Sequence, residues 1–418
     1  MRLLLPLVLV AVVVGTLLLT GVVVWVGSTI PPEPDPESLP SRALDEPAAD
    51  YRRQVEEGRS LTRSVVAQGK LPGLSLAVAV GGEIVWAEGF RWAEQESRTP
   101  MTPATKLRIG ELSETLTAAA AGLLSQRGLL DLDAPVRRYL PGFPEKPWPL
   151  TTRHLLSHTA GLRSHRGEGE IFRRTGCAND AERLAIFTGD PLRSPPGTEV
   201  SHSPYGVVLA GAVVAAAAGE PYLDFVRREI LAPLGMDATT PDVAGRTGPG
   251  SAHLYYPRIM LNPRYGLQDA PTVDLSCVLA AGGFLSVPSD LARLGSAMME
   301  GETLEPATVE ELTTPVRLAS GEATDRALGW TVRRLPLGPD GALTRVVGQG
   351  LGEVVRRRFL SATSGGGQVP GTTASLATVP EHGVAVAVAS NVSGAEGVPA
   401  LALGLAALFL PPQGAAPR

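Results

Sequence analysis

The chain is predicted to adopt an α+β fold: an antiparallel sheet flanked by N- and C-terminal helices, with an inserted, mostly helical subdomain. Three observations carry this. Two strand-like runs, Leu74–Val80 and Glu83–Ala87, are joined by Gly81-Gly82, and both central residues of the tightest hairpin turn need positive φ. A second strand pair, Thr372–Val379 and Gly383–Ser390, lies around Pro380-Glu381-His382. The long stretch between the pairs has mostly helical pattern, so the sheet must be completed by distant parts of the chain.

The N-terminus comes first in the chain and has its own logic. Leu3 to Val26 is a run of 24 uncharged residues, longer than the ~20 that cross a bilayer as a helix. Val24-Trp25-Val26-Gly27-Ser28 makes a poor cleavage site, which favours a signal anchor over a cleaved signal. Arg2 precedes the run, whereas acidic residues with only Arg42 among them follow it. That asymmetry predicts a single-pass membrane protein with a cytoplasmic N-terminus and the main domain extracellular, periplasmic or lumenal. A secreted or a mitochondrial chain is the alternative, although an Arg-rich amphipathic presequence is missing. The predicted organisation is a transmembrane anchor over 1–28, a Pro/acidic linker over 29–50, the domain over 51–410 and a tail over 411–418. Six prolines between 31 and 47 make the linker an extended stalk.

Within the domain, Val55, Leu61, Val65 and Val66 recur with helical spacing over 51–68, and Gly69 is a plausible stop. Thr115 to Gln126 is a helix closed by Gly128, Thr152 to Ser157 is another, and Pro399 to Leu410 is a buried one. The 44% hydrophobic content of the 418 residues supplies a full core. A net charge of −5 with dispersed basic residues leaves no footprint for a phosphate backbone, so no nucleic-acid partner is expected. Cys177 and Cys277 lack metal-ligand spacing, and two buried thiols or a disulfide both fit. Asn391-Val392-Ser393 is a glycosylation sequon by pattern.

Several ordered blocks point further. Leu107 to Leu116 reads Leu-Arg-Ile-Gly-Glu-Leu-Ser-Glu-Thr-Leu; Gly128 to Val136, Thr151 to Leu162, Pro196-Gly197-Thr198 and Ala281 to Ser286 with Asp290-Leu291 follow. Together, over about residues 51 to 405, they resemble the serine β-lactamase and penicillin-binding family, class C β-lactamase-related. Phe143-Pro144-Glu145-Lys146 is shared with its vertebrate mitochondrial serine β-lactamase-like branch.

The resemblance implies acyl transfer by a serine hydrolase, in which a serine attacks a carbonyl while a lysine one helical turn on and a tyrosine move protons. A serine hydroxyl is weak until an adjacent base takes its proton, so the pair must share a helix face. Here Glu111 stands where the serine should be and Glu114 where the lysine should be. His202, in His202-Ser203-Pro204-Tyr205-Gly206, stands in place of the tyrosine, and Tyr205 is displaced by three positions to face elsewhere. The third motif aligns to Ser364-Gly365-Gly366. Lysine occurs only at 70, 106 and 146, so no Ser-x-x-Lys exists in any register. Neither a Gly-x-Ser-x-Gly elbow nor His-Glu-x-x-His is present.

No catalytic set is therefore intact, and a pseudoenzyme is expected that acts by holding a peptide or lipid-like ligand, or by assembly as a homo-oligomer or with a partner. The competing class is an active peptidase, esterase or amidase with rearranged residues, using Ser113, Ser203 or Ser364. No cofactor is expected. Glu111 and Glu114 have a plain explanation as acidic residues in a first helical turn, where they complement the macrodipole. If they converge with His202, two like charges share a cavity, and the three form a candidate divalent-metal set. His154 and His158 are read as structural.

Overall fold

The computed structural model describes residues 12–16, 35–171, 173–242, 250–259, 261–301, 303–336, 343–349 and 369–411. Of the predicted span over 3–26, only residues 12–16 are described, and they are helical. Among the described residues no single helix is long and apolar enough to cross a membrane. The third motif at Ser364 lies outside the described residues.

The main sheet has eight strands: β1 (Ser41–Ala43), β2 (Gly73–Val80), β3 (Glu83–Glu94), β4 (Thr99–Pro100), β5 (Thr331–Pro336), β6 (Leu343–Gln349), β7 (Thr373–Val379) and β8 (Val384–Ser390). Their order is β1-β3-β2-β8-β7-β6-β5, with β4 beside β3. The β2–β3 turn uses Gly81 and Gly82 at φ +56° and +80°, as the tight turn requires. The centre of the sheet joins the two ends of the domain, with Leu74 opposite Ser390 and Val80 opposite Val384, antiparallel.

Side-chain size alternates across that centre. Leu74, Leu76 and Val78 of β2 and Val384, Val386 and Val388 of β8 pack in one core with α1 (Arg52–Gly69) and α7 (Gly397–Leu408). Each such buried side chain contributes about 1.5–3 kcal/mol. The opposite face carries Ala77, Ala79, Ala385 and Ala387, which belong to the core shared with the helical subdomain. Small residues let a helix approach closely. On α5 (Pro288–Glu300), a Cβ built at Gly295 would come within 2.9 Å of Thr378 Cγ2 and 3.2 Å of Ala385 Cβ. The inserted subdomain supplies α2 (Ser113–Gln126), α3 (Thr152–Leu156), α4 (Pro204–Ala218) and α6 (Pro306–Thr313).

Three local readings need adjustment. The helix ending at Gly69 places Lys70, at φ +49°, as the left-handed cap that Gly69 was expected to provide. Strand β1 comes from the stretch read as linker, because Ser41, Arg42 and Ala43 complete the edge beside Phe90, Gly89 and Glu88. The sequon asparagine is no surface acceptor: Asn391 is fully buried, and its Nδ2 donates to the carbonyls of Trp92, Ala93 and His253. Cys177 and Cys277, left open by sequence, are joined as a disulfide across a separation of 100 residues.

Candidate functional site

The altered reactive segment lies where sheet and helical subdomain meet. Leu107–Arg108 pairs with Leu285 and Ser286, Gly110 turns the chain at φ +53°, and the single turn Gly110–Leu112 runs into α2. The three-residue spacing places Glu111 and Glu114 on one face of this turn. Glu114 is fully buried, whereas the Glu111 side chain keeps 18% exposure.

His202 arrives from the segment preceding α4, whose Ser203 is the N-cap and Pro204 the first residue. Its Nε2 lies 3.0 Å from Glu111 Oε1 and 3.6 Å from Glu114 Oε1. The structure thus brings together Glu111, Glu114 and His202. Two further residues join them. His158 Nε2 lies 3.1 Å from Glu114 Oε2, and Gln349 Nε2, at the end of β6, donates to the same oxygen at 3.0 Å. The His158 and His202 rings are 4.5 Å apart.

His158 reaches this position through an unusual backbone. It follows α3 at φ +57°, a left-handed conformation that glycine more often takes after a helix. Its Nδ1 accepts from Ser203 N–H at 3.5 Å. The ring proton therefore sits on Nε2, which donates to Glu114.

The electrostatics follow from burial against charge. Burial raises the Glu114 pKa, but His158 and His202 more than offset it and hold the carboxyl at about 2. Burial likewise opposes a charge on His202, yet the carboxylates of Glu111 and Glu114 push it up to about 10. At neutral pH the Glu114 carboxylate thus faces a protonated His202. A protonated His202 cannot itself take a proton from a hydroxyl.

The serines considered as substitutes are differently placed. Ser113 is fully buried at the start of α2, its hydroxyl without a hydrogen-bond partner among the described residues. Ser203 is buried and donates its hydroxyl to Arg163 O at 2.5 Å. Tyr205 faces away from the cluster, as its displacement implied: its hydroxyl donates to Glu170 at 2.7 Å and its ring stacks on Phe187. His154 is outside the cluster too, with Nδ1 3.0 Å from Thr151 Oγ1. A cavity of about 500 Å³ walled by Met298, Met299, Val309, Glu310, Val347 and Thr378 is lined by none of Glu111, Glu114, His158 and His202.

Sequence reasoning missed His158 and Gln349 as partners of the cluster. His158 stands in a recognisable block, but only its left-handed turn directs the ring inward. Gln349 lies 235 residues from Glu114 and carries no local signal.

The model of the β-lactamase family matches residues 59–409. Over 319 residues the chain is 29% identical to serine beta-lactamase-like protein LACTB, mitochondrial, of Homo sapiens, covering 60% of this chain and 57% of that one. The chain thus spans less than two thirds of that relative's length. The octameric penicillin-binding protein homologue from Pyrococcus abyssi has a TM-score of 0.67 at 25% identity, covering 85% of this chain and 77% of its own. A D-amino acid amidase from Ochrobactrum anthropi SV3 has the same fold, with a TM-score of 0.67 at 23% identity and coverage of 85% and 98%.

Proposed function

This chain belongs to the β-lactamase family, and from that premise we propose that it is a membrane-anchored, non-hydrolysing member that acts by binding or assembly. The reading is carried by the pair Glu111 and Glu114, which the sequence resemblance aligns with the family's nucleophile and base. Both side chains end in carboxyl groups: Glu111 lies within hydrogen-bond distance of His202, and Glu114 forms a longer ion pair with it. The serine and lysine of the family's acyl transfer are both replaced, so the serine nucleophile and its adjacent base that this chemistry uses are missing from these positions. The buried hydroxyls of Ser113 and Ser203 support the same reading.

The ligand class is proposed from the company the chain keeps. Penicillin-binding and D-amino acid amidase relatives favour a peptide-like or other acylated ligand over a nucleotide or a nucleic acid. A lipid-like acyl ligand fits the anchored placement proposed for residues 3–26. The disulfide between Cys177 and Cys277 supports an oxidising compartment on the far side of the membrane. The octameric archaeal relative supports self-association as the form of assembly.

Activity-based labelling tests the reading. The full-length chain in detergent, exposed to a fluorophosphonate and to a labelled penicillin, is expected to take up neither, and a chromogenic cephalosporin is expected to remain intact. Stoichiometric labelling of any serine overturns the proposal.

A further inference from the structure

We infer that the pocket formed by Glu111, Glu114 and His202 is a divalent-cation site suited to zinc. The inference rests on the non-hydrolysing reading and deepens it by naming what the pocket holds.

The carboxylate of Glu114 is divided in its contacts. Oε2 accepts from both His158 and Gln349, whereas Oε1 is completely buried and has no hydrogen-bond partner among the described residues. His202 Nε2 lies 3.6 Å from that oxygen, beyond hydrogen-bond reach. An unmade bond at a buried charged oxygen is costly, and a cation between these two atoms would satisfy both.

The surroundings have the form of an outer coordination layer. Ligating carboxylates are themselves oriented by hydrogen bonds, and His158 and Gln349 hold Oε2 so that Oε1 faces His202. The donor atoms of Glu114, His158 and His202 lie within 4.8 Å of one another. Because His158 Nδ1 accepts from Ser203 N–H, its Nε2 carries the proton and the ring belongs to that outer layer. Glu111 Oε1, 3.0 Å from His202 Nε2, takes the place of the third inner donor.

The two separations from His202 bracket the spacing zinc needs, and the donor chemistry suits it. Tetrahedral zinc with ligands at about 2.0–2.2 Å sets its donors about 3.3–3.5 Å apart, and the His202 separations of 3.0 and 3.6 Å lie on either side of that range. Once the cation displaces the proton of His202, one imidazole nitrogen and two carboxylates suit a borderline ion and neutralise its charge. The His202 side chain, 38% exposed, gives a route of entry and leaves room for a fourth ligand.

The test uses untagged full-length protein in detergent, stripped with a chelator, equilibrated with Zn²⁺ and assayed by elemental analysis and calorimetric titration. Stoichiometric Zn²⁺ is expected to be retained. Loss of an outer partner costs about 10–100-fold in metal affinity, so Glu114→Gln and His202→Ala, each removing an inner donor, should weaken Zn²⁺ at least ~100-fold. His154→Ala should leave affinity unchanged. Thermal melting of each stripped variant confirms that it is folded, and the partly exposed His202→Ala serves if Glu114→Gln is not. Zn²⁺ absent from the wild type, or bound equally well by both folded variants, overturns the inference. Fluorophosphonate labelling of the same preparation separates the two readings: labelled serine removes the non-hydrolysing premise, whereas an unlabelled chain without zinc removes the metal site alone.

Discussion

His158 donates to Glu114 across 3.1 Å from a backbone at φ +57°, so a strained residue secures the only fully buried carboxylate among the described residues of the cluster. A left-handed residue with a side chain costs about 1–2 kcal/mol, and a hydrogen bond to a charged group contributes about 1.5–3 kcal/mol. His158→Gly removes both terms and should destabilise by about 1 kcal/mol. His158→Ala keeps the strain and loses the bond, and should cost about 2–3 kcal/mol. Urea unfolding of the two variants checks the order.

Stability of the metal-free protein should peak in mildly acidic solution. Glu114, depressed from 4.5 to about 2, contributes fully above 4.5 and loses that contribution as pH falls towards 2. His202, raised from 6.5 to about 10, contributes fully below 6.5 and loses it as pH rises towards 10. Among the described residues, the titratable groups acting on them are Glu111, His158 and His165. Thermal melting against pH in chelator should show both limbs, and His202→Gln should flatten the alkaline one.

The disulfide should matter more for stability than for the site. Closing a loop of this length stabilises by up to ~4.7 kcal/mol through the unfolded chain, and removing a native bridge costs about 2–5 kcal/mol. The double variant Cys177→Ser/Cys277→Ser should therefore unfold at lower denaturant while retaining the Glu114 cluster. Denaturation with and without reductant makes the same comparison on the wild type.

Asn391→Asp should be among the most damaging single changes. The native amide of the buried Asn391 donates to three backbone carbonyls, and a carboxylate there would face acceptors with no proton to give. An uncompensated buried charge costs about 3–5 kcal/mol, measurable as a fall in the denaturation midpoint. Protein expressed in a eukaryotic secretory host should carry no glycan at Asn391 by mass spectrometry of the folded fraction.

What could be read in advance depended on the range of the interaction that fixes each feature. Gly81-Gly82 announces its hairpin because the turn's φ requirement is local, and Ser113–Gln126 is nearly the helix expected from Thr115. Glu111, Glu114 and His202 could be grouped only through the family resemblance, since their own spacing spans α2 and the segment before α4. Gln349 and the inward turn of His158 were hidden, because a strand end and a left-handed residue acquire their directions from tertiary packing. The three-residue strand β1 was hidden as well, being too short to show a period and lying among prolines.

The antiparallel pairing of β2 with β8 sets an order on how the molecule is made. When Leu74 and Val80 leave the ribosome, their partners Ser390 and Val384 have yet to be synthesised. The helices between them are built from near neighbours and can begin to form meanwhile, but the hairpin of β2 and β3 must wait with one hydrogen-bonding edge open. Such an edge is a template for wrong partners, and contacts so distant in sequence form slowly. Premature termination before β7 should consequently yield aggregates instead of a smaller soluble domain.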